Sequence, residues 1–262
     1  MPPIRTRRRG EKSKKQIGGE AQPQVQDPGE STTGSAPLAT QAPTCDGMGT
    51  QNLTDQSAGF PKPGRITVWI VGSSIIKRAS IAARLRPGGW SLGLNQRGVD
   101  IWWQGYGGLK FIDLVQKVRY LATLEDPPRY LLIHCGANDL GQIKLSRLLY
   151  RIKWDIQLLS SIFTNTTLVW SFLLPRISWR HSSNIRAMEQ ARDRLNRWAA
   201  KQVFQYGGRI IMHSQFVGKP VQLYHSDGTH LSELGNYIFL NNIQGALEYF
   251  ASGGKSKEFP CK

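Results

Sequence analysis

Residues 66–74 read Ile-Thr-Val-Trp-Ile-Val-Gly-Ser-Ser, an apolar run that stops at a glycine and two hydroxyls. Its first six residues are apolar on both alternating faces, as in a strand of a parallel sheet covered by helices on each side. Four later runs have the same character: 100–104, 130–135, 167–174 and 209–213. Each is short, β-branched or aromatic, and bounded by Gly, Pro or polar residues. Helical spacing fills the gaps. Leu109, Ile112, Leu114, Val118 and Leu121 fall near one face, and Leu145, Leu148, Leu149, Ile152, Ile156 and Leu159 do the same within 143–163. Residues 183–206 repeat the pattern and stop at Gly207-Gly208, and a last helix is expected from an N-cap at Ser232 to Phe250. This alternation predicts an α/β fold with a parallel sheet, helices on both faces and functional loops at the C-terminal strand ends.

The chain has 262 residues, 40% of them hydrophobic, with eight Trp, enough for one substantial core. Residues 1–64 are rich in Pro, Gly, Ser, Thr and Gln and poor in large apolar side chains, so they are read as a disordered tail. The domain is expected over 65–250, followed by a short tail at 251–262. The net charge of +16 is not carried by the N-terminal tail, which holds 8 Lys and Arg against 6 Asp and Glu. Residues 65–262 hold 26 against 12, a balance of +14 that favours anionic substrates or polyanionic partners. The cluster from Arg5 to Lys15 is either a nuclear-import or nucleic-acid patch or a solvated charge run. Cys45, Cys135 and Cys261 are too scattered for a disulfide framework or a zinc knuckle. No apolar stretch is long enough to span a bilayer, and no apolar segment follows the N-terminal charges. An intracellular protein, cytoplasmic or nuclear and without a signal peptide, is expected.

Three polar blocks follow three of the apolar runs: Gly72-Ser73-Ser74, Gly136-Ala137-Asn138-Asp139 and, near the end, Asp227-Gly228-Thr229-His230. A serine hydroxyl needs an adjacent base to act as a nucleophile, and that base needs a partner that fixes its tautomer. Asp227 and His230, three apart in a turn, suit the base and its partner, and Ser74 is the candidate nucleophile. Acyl transfer also needs donors for a developing oxyanion. The Asn138 side chain, the Ser74 amide and a glycine of Gly105-Tyr106-Gly107-Gly108 are placed to supply them, with Gly108 preferred and Gly107 its rival. Singly, each block also fits a plain turn, a phosphate loop or a capped helix, and it is their joint placement that favours chemistry. No P-loop is present, and 72–76 lacks the second glycine of a Gly-x-Ser-x-Gly elbow. A metal site from His225, Asp227 and His230 has no further ligand cluster to complete it. His134, His181 and His213 are read as structural or exposed.

In order and spacing these blocks resemble blocks I, II, III and V of the SGNH (GDSL-like) hydrolase superfamily, over about residues 65–250. The resemblance implies a flavodoxin-like three-layer α/β/α sandwich with a five-stranded parallel sheet and no cofactor. It also implies a serine esterase with a triad of Ser74, His230 and Asp227 and oxyanion donors at Ser74, Gly108 and Asn138. Block I departs from the family's Gly-Asp-Ser, because Ser73 replaces the aspartate, so the loop's hydrogen bonding must differ. More narrowly, 86–89 (Arg-Pro-Gly-Gly) and 133–141 (Ile-His-Cys-Gly-Ala-Asn-Asp-Leu-Gly) resemble vertebrate SGNH-like proteins, including esterase-like domains carried by some retrotransposons.

Lys77 and Arg78 after the nucleophile, and Arg176, Trp179 and Arg180 after the fourth strand, are expected to rim the cleft. They point to a small-molecule or lipid ester with an anionic part. The alternative is a catalytically weak member of the same fold that binds nucleic acid through its basic domain.

Overall fold

The computed structural model describes residues 64–261. The basic cluster at 5–15, Cys45 and, apart from Gly64, the expected N-terminal tail lie outside the described residues. The apolar run that ends at Gly72 forms β1 (Ile66–Gly72), and the helix α1 (Ser74–Leu85) starts at the second serine after it. There follow β2 (Val99–Gly105), α2 (Leu114–Leu121), β3 (Tyr130–His134), α3 (Leu145–Ile162) and β4 (Thr167–Ser171). The chain continues with α4 (Ile185–Gln205), β5 (Arg209–Ile211), α5 (Glu233–Ala251) and β6 (Glu258–Phe259). The strands form one parallel sheet in the order β2-β1-β3-β4-β5-β6.

Strand alternation divides the core. Trp69, Val71, Leu131, Ile133 and Trp170 face α2, α3 and α4, whereas Val68, Ile70, Leu132, Val169 and Ile211 face α1 and α5. Both faces are thus covered, which is why the strand sequences show no polar side. The last helix starts as expected: the Ser232 hydroxyl accepts the Gly235 N–H at 3.1 Å.

Four expectations are corrected. The sheet has six strands rather than five, because residues 251–262, expected as a tail, supply β6. Ile210 N–H donates to Lys257 O at 2.8 Å and Met212 N–H to Phe259 O at 2.7 Å, so β5 is not left as an edge. The helix expected from Leu109 starts only at Leu114, since the Asp139 carboxylate takes the Phe111 N–H at 2.8 Å and holds 111–113 in a 3₁₀ turn. β4 ends at Ser171 instead of continuing to Leu174. Beyond it, Asn196 on α4 receives the Leu173 N–H at 2.8 Å and donates to Leu173 O at 3.0 Å, replacing strand partners. β5 stops at Ile211, short of His213, which begins a 3₁₀ turn.

Close packing fixes the exit of β1. A Cβ on Gly72 would lie 2.5 Å from His134 O and 2.5 Å from Ile76 Cγ1, so this position accepts hydrogen alone. Gly72→Ala is expected to cost about 2 kcal/mol through overpacking. In a domain of this size that lowers the melting temperature by roughly 4–8 °C, which calorimetry would detect.

Candidate active site

Parallel register brings the ends of three strands to one level: Gly72 of β1 pairs with Gly105 of β2 and with His134 of β3. The chain leaves that line as Ser73-Ser74, as 106–108 and as 135–139, so three of the polar blocks share one edge of the sheet. Ser74 is the first residue of α1, with an amide that has no intrahelical acceptor. Ser73 is its N-cap and is buried, but its hydroxyl caps no amide of the helix.

The fourth block arrives on a tight loop before α5. Tyr224 and Leu231 form an antiparallel bridge, and His225 N–H donates to His230 O at 2.8 Å. Inside this loop Asp227 Oδ1 accepts the amides of Thr229 (2.9 Å) and His230 (2.8 Å), a local Asx-type turn. Asp227 Oδ2 lies 2.6 Å from His230 Nδ1, and His230 Nε2 lies 2.9 Å from Ser74 Oγ. Burial raises the Asp227 carboxyl, but the His230 ring and the His230 and Thr229 amides outweigh it and hold the acid well below the carboxylate range. An ionised Asp227 accepts from Nδ1–H and leaves Nε2 to accept the serine hydroxyl.

Gly108 and Asn138 stand across the same cleft, which measures about 610 Å³ and is also lined by Ser74, Asp227 and His230. Gly108 has φ +74°, a conformation that favours glycine, while Gly107 does not line the cleft. One Asn138 Nδ2 hydrogen goes to Leu109 O at 3.1 Å, and the other is left for the cleft. With the Asp139–Phe111 bond, this ties the glycine loop to the loop after β3. Of the basic residues expected at the rim, Arg176 and Arg180 line the cleft, as does Trp179. Lys77 and Arg78 do not: with Ser74 at the start of α1, they sit a turn along it, exposed.

Lys110, Gln142 and His181 also line the cleft and were not expected there. Gln142 Nε2 and His181 Nε2 are 2.9 Å apart, a clip between two loops distant in sequence that only the folded chain brings together. A second Ser–His arrangement lies below the strand ends. Ser171 Oγ is 2.9 Å from His213 Nε2 and 3.0 Å from His134 Nδ1, with Asn242 Nδ2 3.2 Å from His213 Nδ1. Ser171 is 0% exposed, so no substrate reaches it. Burial, reinforced by Arg176, lowers His134 to about 3, and burial also lowers His213, so both rings stay neutral members of a satisfied polar network. His225 Nδ1 lies 4.0 Å from Asp227 Oδ2, farther than His230. Among the described residues no group of His, Cys, Asp or Glu is arranged to hold a metal ion.

A parallel sheet between two helical layers defines an α/β fold, with Ser74, His230 and Asp227 in line above its strand ends. Solved structures agree in fold. A GDSL-like lipase from Bacteroides thetaiotaomicron superposes with a TM-score of 0.56 at 16% identity, over 70% of this chain and 88% of that one. The psychrotrophic esterase EstA from Pseudoalteromonas sp. gives 0.55 at 11% identity, over 71% and 98%. A lipase/acylhydrolase from Enterococcus faecalis gives 0.54 at 14%, over 70% and 95%. No protein-family model matches the chain, and no curated protein sequence does.

Asp139 supplies a pH-dependent test of this loop geometry. Burial pushes its carboxyl up to about 6, against the opposing pull of the Phe111 N–H. A folded-state value above the unfolded one means that the group's stabilisation is full at low pH and is lost as pH rises through about 6. Asp139→Asn removes this titration. The melting temperature of the natural protein, measured relative to that variant, is expected to fall between pH 4 and pH 7 and to level off above.

Proposed function

We propose that the protein is a serine-dependent acyl hydrolase that cleaves carboxylic esters. The observation that carries this reading is the continuous line from Asp227 through His230 to Ser74 at the mouth of an open cleft. The Ser74 hydroxyl attacks the ester carbonyl carbon and passes its proton to His230 Nε2, while Asp227 steadies the imidazolium. The tetrahedral oxyanion is met by the Ser74 amide, the Gly108 amide and the Asn138 side chain, and the N-terminus of α1 adds a favourable dipole. Collapse breaks the bond to the leaving alkoxide, which takes the proton from His230 and leaves an acyl-serine. Water, deprotonated by His230, then attacks that ester and returns the proton to Ser74 Oγ, releasing the acid.

Ser73 does not enter this chemistry, because its side chain caps nothing and the nucleophile is the next residue. The missing block I aspartate therefore alters the turn without removing a reacting group. A second reading, nucleic-acid binding through the basic domain, is favoured by the +14 balance of residues 65–262 and would show as affinity that falls steeply with salt.

The purified protein is expected to hydrolyse a short-chain aryl ester and to be labelled by a fluorophosphonate, both abolished in Ser74→Ala. No labelling and no hydrolysis by the natural sequence would overturn the acyl-hydrolase reading. Asn138→Ala is expected to lower kcat by about 10²–10³-fold with a much smaller change in KM, since its donor acts on the oxyanion rather than on the bound ester.

A further inference from the structure

The loop after β4 places in the cleft a cation for which the triad has no use. Arg176 is only 7% exposed, yet it lines the cleft. Its backbone amide is held by Glu189 Oε1 at 2.9 Å, which anchors the loop. The guanidinium itself has no hydrogen bond or ion pair among the described residues and rests on the Trp179 ring, 4.8 Å from the centroid. The acid beside it is occupied elsewhere, because Glu189 binds Arg192 at 3.0 Å and the Trp179 indole N–H at 3.0 Å. The carboxylate lining the cleft, Asp227, is spent on His230 and two amides.

Glu189 and Asp227 act on this charge through space, but a buried charge without a hydrogen-bonded partner is costly, and a guanidinium offers a planar fork of donors matched to a carboxylate or a phosphate. Burial lowers the Arg176 guanidinium to about 10, which leaves it fully charged at neutral pH. The stacked Trp179 ring holds one face of the fork, so that the edge is what remains for a ligand. Lys110 and Arg180 on the same walls add to the positive field.

We propose that Arg176 is an anion subsite and that the substrate is an ester carrying a carboxylate or phosphate, which Arg176 binds while the ester carbonyl meets Ser74. This rests on the acyl-hydrolase reading above and adds the substrate's charge to it. The charged group sits either on the acyl side or on the alcohol side of the ester.

Calorimetric binding to the Ser74→Ala protein, which holds an ester without cleaving it, tests this directly. One pair of probes is monomethyl succinate against methyl butyrate; the other is 1-acetylglycerol 3-phosphate against 1-acetylglycerol. The charged member of at least one pair is expected to bind ten-fold or more tightly, and adding Arg176→Gln should bring the two within about two-fold, the loss of a charged hydrogen-bonded contact. Discrimination in the first pair places the anion on the acyl side, and in the second pair on the alcohol side. Arg176→Lys, which keeps the charge, should retain a preference for the charged member and shows that the cleft survives substitution. Equal affinities in both pairs, or a preference that persists in Arg176→Gln, would overturn the anion subsite. In the active protein, the ratio of kcat/KM for the charged over the neutral ester should fall in Arg176→Gln. Absence of all turnover in the natural sequence would instead overturn the acyl-hydrolase reading, leaving the binding comparison to decide the subsite.

Discussion

The register of three parallel strands is the constraint on which the rest of the molecule depends. Because Gly72, Gly105 and His134 are neighbours across the sheet, the loops after β1, β2 and β3 leave at a single height. A slip of one residue in β1 would exchange its two apolar faces and carry Ser74 away from the level of Gly108 and Asn138. The core forbids that slip: Trp69 and Val71 are buried with α2 to α4, and Val68 and Ile70 with α1 and α5. Packing of the middle of the sheet thereby sets the geometry at its edge. The absence of a side chain at Gly72 then lets the strand end and the His134 carbonyl approach closely.

Beneath that edge lies a buried polar network. The chain from Asn242 through His213 and Ser171 to His134 crosses the ends of β3 and β4, and Phe239 packs against both rings, at 5.3 Å from His134 and 4.7 Å from His213. Each member finds a partner, so these groups escape the penalty of an unpaired buried dipole. Since neither imidazole charges in the neutral range, this layer acts as a fixed platform. Asp227 and His230 lie above it, where both reach solvent.

The amino-acid pattern made the layers and the four blocks that line the cleft readable because both depend on local signals. Apolar runs identify strands, and Gly, Ser, Asn, Asp and His clusters after them identify exits. What stayed hidden depends on contacts between distant segments. Glu258 and Phe259 are two residues among lysines and a proline, with no run to mark a strand; they pair because β5 offers an open edge beside α5, where Phe259 meets Tyr249 at 6.3 Å. The late start of α2 was equally illegible, since it follows from a carboxylate 28 residues away taking the Phe111 amide. For the basic residues, type alone does not separate a solvated charge from a buried one. Lys77 and Arg78 look like Arg176 in sequence, yet their place on an exposed turn of α1 sends them away from the cleft.

The loop that carries Arg176 and the loop that carries Asp227 and His230 are not independent. Gly228 O accepts the amides of Ile177 (2.8 Å) and Ser178 (3.1 Å), Thr229 Oγ1 donates to Ser178 O at 3.1 Å, and Tyr224 Oη donates to Pro175 O at 2.9 Å. Four bonds therefore clamp 175–178 to 224–229. Gly228 is at φ +64°, and a Cβ there would lie 3.1 Å from Ile177 Cβ and Ser178 N, so the clamp needs glycine between Asp227 and His230. Any displacement of the Arg176 loop is passed through this clamp to the Asp227–His230 turn, whose own geometry is set by two amide bonds to one carboxylate oxygen. The placement of Arg176 beside the Asp227–His230 turn is in this way built into the fold by backbone and side-chain bonds, rather than being the chance spacing of two surface loops.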